Sequence, residues 1–267
     1  MRLKERLRGA VPEDLLQRLP GGFHIIGDIA ILSIPAELDE YRGVIGQAAL
    51  SSGKGIKSVF NKTGKLHGER RVAGLELLAG QPGTVTVHRE FGLLYCLDVA
   101  EVFFSSHLGY ERRRVASLVQ AGETVLVPFA GVGPFAVPLA ARGARVLALE
   151  KSRRACLFLA DNARLNRVED GMAIVNGDAL QSARLLRRQF DRAVLPAPYG
   201  LTGALEAVLP LVKPGGWLHF YTFGNPLQIE PLVSHYEDLG LSIMNCRRCG
   251  NIAPRVSRWA FDMKRNP

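Results

Sequence analysis

Cysteine is scarce in this sequence. Its four thiols, Cys96, Cys156, Cys246 and Cys249, are too few for a disulfide framework in a chain of 267 residues, which points to a reducing compartment. Cys246 and Cys249 form a single CxxC. A structural zinc site takes four ligands, so without a second pair no metal is expected. Long apolar runs are missing as well: no stretch reaches the roughly 18 residues needed to span a bilayer. The opening MRLKERLRGAVPEDLL lacks the apolar centre of a secretion signal. Neither membrane insertion nor export is expected, and the reading is cytoplasmic. Internal repeats and low-complexity tracts are also absent, which excludes a repeat architecture.

What is present is enough for a folded core. With 47% hydrophobic and 22% charged residues, the chain can build one large domain or two modest ones, and two are expected. The formal net charge is +9. Lysine and arginine displace condensed counterions from a phosphate backbone, so this balance suits a polyanionic partner, although it also serves solubility alone.

From Thr124 onward, short apolar or β-branched runs alternate with longer helical stretches, the rhythm of βα units around a parallel sheet. Strands are expected at Thr124–Val127, Ala144–Leu149, Ala173–Val175, Arg192–Leu195, Trp217–Tyr221, Ser242–Asn245 and Arg258–Asp262, with Pro214-Gly-Gly216 turning the chain before the fifth. A helix over about Ser152–Asn166 places Ala155, Leu159 and Ala163 on one face. The first hundred residues read as a small α+β module, with strands in Ile25–Ile34, Ser58–Asn61 and Thr84–His88 and a helix near Tyr41–Leu50. The change of rhythm puts the domain boundary near Asp98–Ser106, giving domains 1–98 and 99–267.

Gly131 and Gly133 follow the first strand of the α/β part. Glycines there let the backbone approach a ligand closely, and the next helix opens with free N–H groups. Glu150 closes the next strand, where a carboxylate suits the two hydroxyls of a ribose. Asp178 follows the third strand and could accept from an adenine amino group or simply cap a helix.

Read together, FAGVGPF, LALEKS, LNRVED and NGDA resemble the class I S-adenosylmethionine (SAM)-dependent methyltransferases, whose fold is a Rossmann-like seven-stranded α/β sheet. The segments GDIAIL, HGERR, TVTVHREFG, LDVAEVFFSSHLGYERRR, PFAGVGPF and KPGGWLHFY narrow this. They are similar to the tRNA (guanine-37-N1) methyltransferases and to their sister family, which makes the aminocarboxypropyl step of wybutosine synthesis. GVGPF, HLGYERRR and HFY are closer to the methyltransferase branch. Glu150-Lys151 and the short N-terminal region are closer to the other branch.

The resemblance implies SAM as cofactor and tRNA as partner. It implies Glu111 as the base that takes the guanine N1 proton and Arg71 as the cation that stabilises charge on O6. Residue types alone would make Glu111 a helix-surface ion pair with Arg114, and Arg71 one solvated charge in a charged run. By the same carry-over, Arg112, Phe129, Glu150, Asp178, Ala179 and the position of Pro196 belong to the SAM site, with Gly131 and Gly133 shaping the turn. Phe103 falls where the family carries an aromatic near the cofactor and target base, and Tyr199 by its residue type offers a stacking surface for a flipped base. Pro128 and Pro196 stand where the family carries an acidic residue and an asparagine. The chain is also shorter than methyltransferases with an added N-terminal module, which leaves RNA positioning to the small domain and to Arg112–Arg114, Arg153, Arg154, Arg187, Arg188, Arg247 and Arg248. The two prolines keep open a third reading beside the two transfer reactions, a catalytically silent tRNA-binding protein of the same fold.

Overall fold

The structure is a computed structural model that describes residues 3–53, 55–67, 72–253 and 255–267. The chain divides into two compact units, Met1–Ser106 and His107–Pro267. Residues 99–106, assigned from the sequence to the second domain, therefore belong to the first unit.

The first unit holds helices α1 (Leu3–Leu7) and α2 (Glu13–Arg18), strands β1 (His24–Ile26) and β2 (Ile29–Leu32), helix α3 (Arg42–Leu50), and strands β3 (Ser58–His67), β4 (Val72–Gly80), β5 (Val85–Glu90) and β6 (Leu93–Asp98). β1 to β4 form one sheet in chain order, with β2 and β3 parallel. β5 and β6 form a hairpin. Leu7, Leu16, Leu38, Ile45, Ala49 and Val59 make the core. Gly46 lets α3 lie close on β4, because a Cβ there would meet the Leu78 Cβ at 2.6 Å. The expected strands and helix are present in this unit. α1, α2, β4 and β6 were not anticipated.

The second unit runs α4 (Gly109–Ser117), β7 (Thr124–Pro128), α5 (Ala136–Ala140), β8 (Arg145–Glu150), α6 (Arg153–Leu165), β9 (Met172–Asn176), α7 (Ala179–Leu185), β10 (Phe190–Leu195), α8 (Ala204–Val208), β11 (Val212–Gly224), α9 (Ile229–Asp238), β12 (Leu241–Ala253) and β13 (Val256–Arg265). Its seven-stranded sheet has the order β12-β13-β11-β10-β7-β8-β9. Only β13 opposes its neighbours. This is the expected Rossmann-like α/β sheet. Val125, Leu126 and Val127 of the central β7 are all fully buried, as parallel strands covered on both faces must be. The strand order departs in opposite directions from β7, toward β8 and toward β10, so the switch-point crevice opens at their C-terminal ends.

Pro214-Gly-Gly216 does not precede the fifth strand of this sheet; it lies within β11, which starts at Val212. The pairing with β10 shifts register between Phe190 and Arg192 to accommodate it. Gly215 takes φ +75°, and Gly216 packs so closely that a Cβ would meet the Asp191 carbonyl oxygen at 2.9 Å. Helix α6 buries Ala155, Leu159 and Ala163 as its spacing requires. Its N-cap Ser152 accepts from the Ala155 N–H at 3.2 Å. Among the described residues no helix is long and apolar enough to cross a membrane.

Candidate active site

The turn after β7 is built for close approach. Phe129 takes φ +57°, rare for a residue with a side chain, while Gly131 and Gly133 take +56° and +92°. The two glycines do different work. At Gly133 a Cβ would meet Leu159 Cδ1 at 2.3 Å, so this position seats the turn on α6, whereas at Gly131 a Cβ would meet nothing within 4 Å. Asn162, fully buried on α6, donates to the Val132 carbonyl at 3.0 Å and holds the turn from behind.

Glu150 closes the turn onto the sheet. Oε2 accepts the Gly131 N–H at 2.8 Å and Oε1 accepts the Ser152 N–H at 2.8 Å. A carboxylate offers about four acceptor sites, so capacity for ribose hydroxyls remains on both oxygens. Asn176 ties the ends of β8 and β9 by donating to the carbonyls of Glu150 and Lys151 at 3.0 and 2.8 Å. Asp178 caps α7: Oδ1 accepts from Leu180 and Gln181 at 3.0 and 3.1 Å, and Oδ2 takes part in neither bond. Ala179 opens that helix and is buried. Open space at Gly131 beside a carboxylate at the switch point fits the nucleoside half of SAM. Pro128, the last residue of β7, and Pro196, just past β10, add only carbonyl acceptors.

Glu111 sits on α4 at 4% exposure, so its ion pair with Arg114 is a buried one and not the surface pair that residue types alone suggest. Oε2 accepts from Arg114 Nη2 at 3.1 Å and Nε at 3.2 Å, and from the Tyr221 hydroxyl at 3.2 Å. Oε1 accepts from Arg247 of β12. Arg114 also grips Asp262 of β13 through Nη1 at 2.6 Å and Nη2 at 3.0 Å. The chain continues from Asp262 to His219 Nδ1 at 2.6 Å, from His219 Nε2 to Arg192 at 2.6 Å, and from Arg192 to both oxygens of Glu123 at 2.8 and 3.1 Å.

The geometry sets the protonation states. Arginine can only donate, so His219 Nε2 must accept, and the single ring proton resides on Nδ1, facing Asp262. Burial pushes the His219 pKa down against the pull of Asp262, which keeps the ring neutral. Burial alone would raise Asp262. The bonds from His219 and Arg114 outweigh it and hold that carboxyl well below the usual carboxylate range.

Arg112, at 2% exposure, and Arg114 are interior residues rather than part of a basic surface. Phe103 is 45% exposed in the first unit, while its neighbour Phe104 is buried against His88 and Tyr95. Tyr199, 54% exposed, follows β10 in the second unit. Arg71 lies outside the described residues. Residue-type reasoning missed Asn162, Asn176, Asp262, His219, Arg192 and Tyr221; of these only the β-strand alternation of His219 and Tyr221 gave a signal, since it places them on one face. Among the described residues no group of three His, Cys, Asp or Glu side chains could hold a metal. Burial pushes the Cys246 thiol up and the Cys249 thiol to about 12.

Comparison with known proteins gives this arrangement a family. The model of the TRM5/TYW2 methyltransferase domain matches residues 86–239, and that of the TYW2 N-terminal domain matches residues 3–84. The tRNA (guanine(37)-N(1))-methyltransferase Trm5b of Pyrococcus abyssi is 36% identical over 263 residues, 95% of this chain and 78% of that protein. Its crystal structure superposes with a TM-score of 0.85 at 34% identity, covering 95% of this chain and 78% of that one. A tRNA(Phe) (4-demethylwyosine(37)-C(7)) aminocarboxypropyltransferase of Pyrococcus horikoshii is 40% identical over 227 residues, 82% of this chain and 78% of that protein. The structure of P. horikoshii TYW2 in complex with MeSAdo matches with a TM-score of 0.78 at 30% identity, covering 98% and 97% of the two chains. A likeness of this extent decides the matter: the chain belongs to the TRM5/TYW2 methyltransferase family.

Proposed function

We propose that this protein is a cytoplasmic enzyme that uses SAM to methylate N1 of guanine 37 in tRNA. The observation that carries the reading is the interior carboxylate of Glu111, held by α4 in a chain that matches the TRM5/TYW2 methyltransferase domain. When bound, SAM supplies a methyl group on a sulfonium. Glu150 and Asp178 hold the nucleoside, Phe129, Gly131, Gly133, Ala179 and Pro196 shape its seat, and Arg112 meets the amino-acid end.

Arg114 and Tyr221 fix the Glu111 carboxylate through Oε2, so the guanine N1 proton is received on Oε1, the oxygen whose only described partner is Arg247. The N1 lone pair freed in this way forms the bond to the methyl carbon, and the electrons of the broken bond return to sulfur. Arg71 stabilises the charge on O6, and Tyr199 and Phe103 offer ring faces to the target base.

A second reading, aminocarboxypropyl transfer to the wybutosine precursor, is favoured by the TYW2 match over residues 3–84. Mass spectrometry of nucleosides separates the two. Unmodified tRNA incubated with SAM and the protein is expected to gain a methyl on guanosine, with the rate lowered about 10²–10⁴-fold in Glu111→Gln. An aminocarboxypropyl increment found only on the precursor establishes the second reading, and no increment on either RNA contradicts both.

A further inference from the structure

The sheet face that carries His219, Asp262 and Tyr221 continues for one more residue pair toward the crevice. Phe223 and Arg258 stand directly opposite each other across β11 and β13, so their side chains share that face. The Arg258 guanidinium lies over the Phe223 ring, 5.1 Å from its centroid. Phe223 in turn meets the Tyr199 ring edge-on, with centroids 5.2 Å apart and planes at 80°. Exposed ring, inner ring and cation thus form a short row at the C-terminal ends of β10 and β11.

Arg258 differs from the other arginines of this face. Arg192 is matched with Glu123, Arg114 with Asp262, and Arg247 with Glu111. Arg258 makes no ion pair among the described residues. Burial lowers its pKa and the charge of Arg112 adds to that, against opposing contributions from Cys249 and Tyr221. A guanidinium stays charged even so, and its fork of N–H donors can grip an oxyanion in two places.

We propose that Arg258 is a phosphate-binding residue that takes a backbone phosphate of the RNA at the nucleotide whose base stacks on Tyr199. The inference rests on the tRNA reading above. Phosphate is favoured over the cofactor's carboxylate because the row connects the cation to an exposed stacking ring, the pairing of surfaces that a nucleotide needs. Arg112 remains for the amino-acid end of the cofactor.

The test uses the full chain and the variants Arg258→Gln and Arg258→Lys. Binding of unmodified tRNA is followed as a function of salt, and binding of S-adenosylhomocysteine by calorimetry. Arg258→Gln is expected to weaken tRNA binding about three- to tenfold and to lower the slope of log K against log salt by about 0.9. S-adenosylhomocysteine affinity stays unchanged, and Arg258→Lys keeps the slope. Weaker S-adenosylhomocysteine binding with tRNA affinity intact assigns Arg258 to the cofactor and overturns the proposal. So does unchanged binding of both ligands, or a loss of both that lysine does not rescue. If wild-type protein binds no tRNA, the functional reading itself fails, and this inference with it.

Discussion

Along one face of β11 and β13, the inner and outer stretches treat charge in opposite ways. The inner stretch, from Arg192 through His219 and Asp262 to Arg114, is removed from water, and each ionic group has a partner of opposite sign or a matching ring nitrogen. The outer stretch, from Phe223 and Arg258 to Tyr199, holds a guanidinium with no carboxylate partner among the described residues and an exposed aromatic ring. Desolvated charges are tolerated only when matched, so the inner stretch serves the fold. Polar groups left unmatched at the crevice are what a ligand meets. Glu111 stands at the junction: Oε2 belongs to the inner network, and Oε1 faces only Arg247 among its described partners.

Breaking the inner stretch has the largest expected effect. Asp262→Asn removes the negative charge that Arg114 and His219 share, and the loss of one partner from a buried ion pair costs about 3–5 kcal/mol. Urea denaturation of the variant measures this; a loss below about 1 kcal/mol would mean the network is not desolvated as described.

Acid gives a smaller effect of known sign. His219 is neutral in the fold because its pKa is lowered from 6.5. The unfolded chain binds a proton below that pH which the folded chain refuses, so stability falls as pH drops through 6.5. Asp262, lowered from 3.8, acts in the same direction at lower pH. One such proton contributes a slope of at most about 1.4 kcal/mol per pH unit. Urea midpoints at pH about 7.5 and about 5.5 check it; equal midpoints would contradict a buried neutral His219.

The parts legible in the sequence are those governed by local pattern. β7, β8 and β10 announce themselves by β-branched and apolar runs, and α6 by the spacing of Ala155, Leu159 and Ala163. β4 was missed because Val72–Gly80 is rich in leucine and glycine rather than alternating. The run Pro214–Gly216 read as a turn, since nothing local shows that β11 absorbs it by a register shift against β10. That Gly131 and Glu150 lie together at the strand ends was readable because turn and strand end belong to adjacent βα units. The pairing of Glu111 with Arg114 was readable from its spacing of three residues, but its burial was not. Arg247 and Asp262 reach this helix from strands more than a hundred residues away, at separations of 136 from Glu111 and 148 from Arg114. Such contacts depend on sheet order and carry no local signal.

The co-product of the reaction tests the central claim most directly. With wild-type protein, SAM and unmodified tRNA, methyl transfer releases S-adenosylhomocysteine in equal amount to the methylated guanosine, and that is the predicted result. Release of methylthioadenosine would mean that the aminocarboxypropyl carbon is the one transferred, and would contradict the assignment of Glu111 to guanine N1 methylation.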